Sequence, residues 1–158
     1  MARKNDNENI QLSYTEEMLH LGMNLYKKSE IAVDILYHLL KSHKLKAFTA
    51  IMLRSDYPDF GEFLRKHKRK TDFLFSIDDE QNVYAILCQE TKVDGGVYFM
   101  RRLEREMLAL DENAMMQVSV VAVESSKYSI RDLLFIVLDN YVKALEGEEG
   151  SIIHRTVR

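Results

Sequence analysis

Residues 69–91, RKTDFLFSIDDEQNVYAILCQET, decide the fold. Phe73, Phe75 and Ile77 alternate with Asp72, Leu74 and Ser76, which is the period of a half-buried strand. Residues 83–88, VYAILC, form an almost unbroken apolar run, as expected of a strand covered on both faces. Between the two, Asp78, Asp79 and Asn82 carry the short polar side chains that stabilise tight turns. The stretch therefore predicts a β-hairpin, with helical patterns on either side of it.

Upstream, residues 47–53 (AFTAIML) predict a further strand by their short apolar run and their Phe, Thr and Ile. Tyr57-Pro58-Asp59 ends it. Asp59, with Glu62 three residues on, has the spacing of a capping box for a short helix burying Phe60, Phe63 and Leu64. That helix runs into the basic stretch RKHKRK, residues 65–70. Farther back, Tyr14, Met18, Leu21 and Leu25 alternate at steps of four and three, Lys28 interrupts, and Ala32, Ile35 and Leu39 resume. One long helix fits this pattern, and so do two helices divided near residues 27–29 with Ser29 as cap. Gly22 and Asn24 favour two. Residues 1–12 are polar and expected to be disordered.

Downstream, Asp94 is placed to cap a helix whose buried face is Val97, Met100, Leu103 and Met107. Residues 116–124, MQVSVVAVE, predict a valine-rich strand. Ser129 and Asp132 open a last helix with an apolar stripe of Ile130, Leu133, Leu134, Val137, Leu138, Tyr141 and Leu145, and Gly147 closes it. Residues 148–158 are expected to form a loose tail. The order β-α-β-β-α-β-α implies an α+β domain over residues 46–147, behind N-terminal helices at 13–45. Its ferredoxin-like core is expected to be an antiparallel sheet with helices on one face, with the last helix added at the C-terminus.

Composition narrows the function classes. The 158 residues suit a single domain with a sizeable core. Lysine and arginine number 22 against 25 aspartates and glutamates, a net charge of −3, so no global field favours nucleic acid or anionic membrane. The one cysteine, Cys88, falls within a predicted strand and reads as a buried, inert thiol. No apolar run approaches a membrane span and the N-terminus lacks a signal-peptide core, which points to a cytoplasmic protein. The five histidines show no metal-ligand spacing, and there is no phosphate-binding loop or dinucleotide fingerprint. No cofactor or metal is expected.

Several motifs taken together resemble the bacterial GGDEF domain, the diguanylate cyclase family, over about residues 21–150. The family's Arg-x-Ser-Asp stretch corresponds to Arg69-Lys70-Thr71-Asp72, followed by a strand, an acidic turn, Tyr84-Ala85-Ile86-Leu87 and Thr91. Residues 93–107 resemble the family's next helix, and VSVVAV with RDLLFIVLDNYVKALEGEEG its closing strand and helix. The resemblance implies a nucleotide-cyclase-type fold.

The departures carry the functional expectation. The signature turn of the family has two glycines that admit a nucleotide and an acidic pair that holds metal. Here the turn is Asp78-Asp79-Glu80-Gln81-Asn82, which keeps an acidic pair but has no glycine. The first strand of the family ends in a magnesium-binding aspartate. This chain has Arg54 there, with Asp56 aligned to a second, non-liganding aspartate. A guanidinium repels the ions such a site must hold. The resemblance thus implies a GGDEF-like signalling or protein-interaction module without catalytic activity, with a protein partner or with self-association through the N-terminal helices. An alternative follows from the family's inhibitory Arg-x-x-Asp site, matched in spacing by Arg69 and Asp72, which would make the chain a cyclic di-GMP receptor. The basic run beside it also fits a solvated helix end, and it lacks the interleaved aromatics of a DNA-binding surface. Residual diguanylate cyclase activity is the third and least favoured reading.

Overall fold

The computed structural model describes residues 2–147 and 152–158, with side chains from Glu16 onward. A first helix, α1 (Ala2–Lys41), is unbroken, where the sequence favoured a disordered segment over residues 1–12 and two helices after it. Ser29 is the reason the break fails. Its hydroxyl bonds back to the Leu25 carbonyl inside the helix instead of capping a new one, and the residue is buried. Gly22 does not break the helix either, because it lies against Leu138, where a Cβ would meet that side chain at 3.1 Å. Once the seated turns form, each added residue gains one hydrogen bond, so the helix propagates backward to Ala2.

The remaining elements are β1 (Phe48–Ser55), α2 (Phe60–His67), β2 (Phe73–Asp78), β3 (Val83–Gln89), α3 (Val93–Leu110), β4 (Met116–Val123), α4 (Ile130–Glu146) and β5 (Ile152–Val157). The sheet order is β2-β3-β1-β4-β5. The first four strands pair antiparallel, as the hairpin and its flanks imply. The fifth corrects the sequence reading twice. Residues 152–157, expected to be loose, pair in parallel with β4, so the sheet is mixed and has five strands. The physical cause is an open edge: β4 would otherwise present unpaired backbone groups. Buried Asn140 on α4 fastens the new strand, donating to Ser119 Oγ at 2.7 Å and to the Ile153 carbonyl at 3.1 Å.

Helices cover both faces of the sheet, not one. Phe48, Ala50 and Met52 of β1 join Val83, Ala85 and Leu87 of β3 under α1 and α4. Ile51, Leu53, Tyr84, Ile86 and Cys88 face the other way, under α2 and α3. This explains why β1, β3 and β4 lack polar alternation: both sides of each are core. On the second face α3 approaches so closely that a Cβ on Gly96 would lie 2.8 Å from Val120 and 2.9 Å from Thr49. Capping is realised in part. Ser129 accepts from the Asp132 amide as expected, but Asp59 adopts a left-handed φ of 58° with no side-chain bond. Asp94 lies within α3, whose cap position is Lys92.

Candidate functional site

The expected site residues fall into two separate places. The first lies at the C-terminal end of β1. Arg54 pairs in register with Val83 and Gln117, and its Nη1 donates to Gln117 Oε1 at 2.8 Å. Strand alternation puts its side chain on the α1/α4 face, where it lines a cavity of about 360 Å³ with Asn24, Asp78 and Tyr141. Glu17 and His20 of α1 add to the polar part of the wall. Tyr141 is 1% exposed. Burial pushes its phenol up, Arg54 pulls it back, and Asp78 adds to the rise. Asp56, two residues beyond Arg54, is not part of this cavity. It accepts from the Met115 amide at 2.9 Å and so clamps the β4 approach, while Ser55 donates to the Met115 carbonyl at 2.6 Å.

The turn closes the same end of the sheet. Asp78 Oδ1 accepts from the amides of Glu80 and Gln81 at 3.0 and 3.2 Å, and Ser76 Oγ donates to Asp79. Asn82 takes the left-handed conformation, φ 55°, that glycine would otherwise supply. Asn24 and Lys28 of α1 donate to the Ile77 and Ser76 carbonyls, tying the helix to this hairpin. Of the turn residues, Asp78 and Gln81 reach the cavity wall.

The second place is Arg69 and Asp72, at the opposite end of β2. Asp72 has no exposed side-chain surface. One of its carboxylate oxygens accepts from the Arg69 backbone amide at 2.8 Å, the other from Arg69 Nε at 3.1 Å. Arg69 Nη2 also donates to the Gln89 carbonyl and to Thr91 Oγ1, each at 2.9 Å. Thr49 Oγ1 continues the chain of bonds by donating to the Thr91 carbonyl at 2.6 Å. The network joins the α2–β2 connection to the end of β3. The hydrogen bond to Asp72 strengthens the hold of Arg69 on its proton. Cys88 lies beneath the pair, and burial, with a contribution from Asp72, raises its thiol far above the ordinary range. The Cys88 reading as a buried thiol holds.

No group of three or more His, Cys, Asp or Glu side chains is arranged to hold a metal ion among the described residues. No described helix is long and apolar enough to cross a membrane. The sequence reading missed Gln117 as the partner of Arg54, and Tyr141 and Asn24 as its neighbours in the cavity wall. Tyr141 was legible only as a member of the α4 apolar stripe, and Asn24 only as a weak helix former.

No family model matches the chain, and no curated protein matches it in sequence. Solved structures do. The diguanylate cyclase SiaD, crystallised in complex with its activator SiaC from Pseudomonas aeruginosa, is similar over 98% of this chain and 72% of that one. The TM-score is 0.61 at 11% identity. The FimX GGDEF domain from Pseudomonas aeruginosa is similar over 80% of this chain and 92% of that one, with a TM-score of 0.55 at 14% identity. The chain has a GGDEF-type fold. The hairpin is the feature on which the sequence resemblance rested, and here its turn adjoins the end of β1. At these identities the likeness concerns the fold, and the side chains at the Arg54 end must be read on their own chemistry.

Proposed function

We propose that this chain is a GGDEF-type signalling module that does not cyclise nucleotides and acts through protein contacts. One observation carries the reading. Where the resemblance implies a magnesium-binding carboxylate, the chain has Arg54, paired across the sheet with Gln117. Two hard cations need several oxygen ligands, and a fixed positive charge opposes them. Asp56, the next acidic residue, is turned toward the Met115 amide. The hairpin tip supplies Asp78, whose Oδ1 is already engaged by two turn amides. These residues do not fit a magnesium–GTP site.

The experiment is incubation of the purified chain with GTP and Mg²⁺, followed by chromatographic separation of nucleotides. GTP is expected to remain unchanged; formation of any dinucleotide would overturn the reading. A cyclic di-GMP receptor remains the second reading, favoured by one observation: the Arg69 side chain is 52% exposed although it is hydrogen-bonded. Against it, Asp72 is fully covered and both its oxygens are engaged, so a guanine edge would have to displace Arg69. Calorimetric titration with cyclic di-GMP separates the readings. No heat is expected, whereas binding that is lost in Arg69→Ala would establish the receptor.

A further inference from the structure

Two opposite charges share one row across the sheet without pairing. Register places Gln117 of β4, Arg54 of β1, Val83 of β3 and Asp78 of β2 side by side. Val83 belongs to the core beneath α1 and α4, and so marks the face on which the row lies. Asp78 reaches that face because the register shifts between Ser76 and Asp78, adding one residue to β2. Unbroken alternation would have kept Asp78 with Ser76, opposite Tyr84 on the α2/α3 face. The bulge re-aims a carboxylate into the cavity that Arg54 lines.

Each charge is held from its own side. Gln117 Nε2 donates to the Leu145 carbonyl at 3.4 Å, which turns Oε1 toward Arg54 Nη1 at 2.8 Å. Asp78 Oδ1 takes the Glu80 and Gln81 amides. No ion pair joins Arg54 to Asp78 among the described residues. Yet both act on the Tyr141 phenol, Arg54 lowering and Asp78 raising its hold on the proton. The cavity thus carries a fixed positive and a fixed negative group, one strand apart.

This wall discriminates between ligand classes. A phosphate or other simple anion gains Arg54 but meets the carboxylates of Asp78 and Glu17. His20, the wall's other basic group, is exposed, as Glu17 is. A simple cation meets Arg54. A compact zwitterion satisfies both fixed charges at once. Beyond them the wall is apolar, with Met18, Leu21, Val142 and Leu145. Its volume of about 360 Å³ admits a ligand of amino-acid size with some water. We propose that this cavity binds a free α-amino acid with an apolar side chain, its carboxylate on Arg54 and its ammonium on Asp78. The chain then has a small-molecule input of its own, beside its protein contacts and separate from nucleotide chemistry.

The test is calorimetric titration of the full chain with L-leucine, L-methionine and L-phenylalanine, each up to about 10 mM. At least one is expected to bind with a dissociation constant of about 1 mM or lower. Two analogues of whichever binds are then titrated, the acid lacking the ammonium and the amine lacking the carboxylate. Each is expected to bind at least about tenfold more weakly, because one fixed charge is left without its partner. Arg54→Met and Asp78→Asn are each expected to weaken amino-acid binding at least about tenfold, with the fold checked by circular dichroism. Asparagine keeps the oxygen that the turn amides use, and the analogues on the unaltered chain decide the matter without any substitution. Absence of binding by all three amino acids overturns the proposal. So does an analogue that binds as tightly as the amino acid, or binding indifferent to either substitution. GTP turnover is read independently, so a failed amino-acid site and a failed non-catalytic reading cannot be confused.

Discussion

Arg69 and Arg54 sit at opposite ends of the same sheet and were both singled out as site residues, yet the fold uses them differently. Arg69 spends its Nε and Nη2 donors within the protein, on a carboxylate with no exposed surface and on the end of β3. Arg54 makes one bond, to Gln117, and otherwise faces a cavity beside Tyr141. The first is a fastener. The second is a charge with one committed donor at the wall of a cavity. Motif spacing alone could not separate these roles, because spacing does not say whether a donor is already committed.

The sharpest way to break this comparison is to remove each arginine head while keeping its stem. Arg69→Met leaves the covered Asp72 carboxylate with only a backbone amide. Discounted for the exposure of Arg69, it is expected to cost about 2–3 kcal/mol in urea unfolding. Arg54→Met is expected to cost less than about 1 kcal/mol, the loss of one partly exposed hydrogen bond. Equal losses would erase the distinction. Arg69→Met combined with Asp72→Leu should recover about 1 kcal/mol or more relative to Arg69→Met alone, since no unpaired charge is left buried.

Alkaline pH sharpens the comparison from the side of the buried groups. Burial, with Asp132 adding to it, pushes the Tyr37 phenol from 10.0 up to about 12. The folded state thus holds a proton that the unfolded chain has already released. Stability from this source is complete below pH 10 and is lost as pH rises toward about 12. Melting temperature should fall across that window, and Tyr37→Phe should flatten the fall. A flat profile in the unaltered chain would show that Tyr37 is not held neutral. Cys88 adds a decline that begins near the ordinary thiol value of about 8.5, because its folded-state thiol is raised as well. Below the unfolding transition Cys88 should resist thiol reagents, and rapid modification would contradict its place under the Arg69–Asp72 pair.

The smallest effect is expected at Tyr141. Its ring is buried and stays so without the hydroxyl, so Tyr141→Phe should change stability by no more than about 0.5 kcal/mol. A larger loss would mean that Arg54 or Asp78 holds the hydroxyl more firmly than the cavity geometry implies.

Much of the fold was legible in the sequence because local periodicity and topology agree. The alternation of Phe73, Phe75 and Ile77, the apolar run at residues 83–88 and the stripe from Leu133 to Tyr141 each appear as the element they predicted. The misses share a cause. Ser29 and Asp94 are good caps in isolation, but long-range packing and the preceding turn decided where the helices begin. The strand at residues 152–157 carries no strong signal of its own and gains its structure from the edge of β4 and from Asn140. At the candidate site the sequence identified Arg54 and the glycine-free turn. It could not show that Asn24 and Tyr141, far apart in the chain, meet them.

The sequence by itself determined the order of elements from β1 to α4, the hairpin at residues 73–89 and the positive charge at the end of β1, because these follow from residue type and spacing within short windows. Only the tertiary structure decided which face each helix covers, that α1 is continuous, and that Asp72 is consumed by Arg69. Those properties depend on contacts between residues tens of positions apart, and such contacts are settled by packing rather than by local preference.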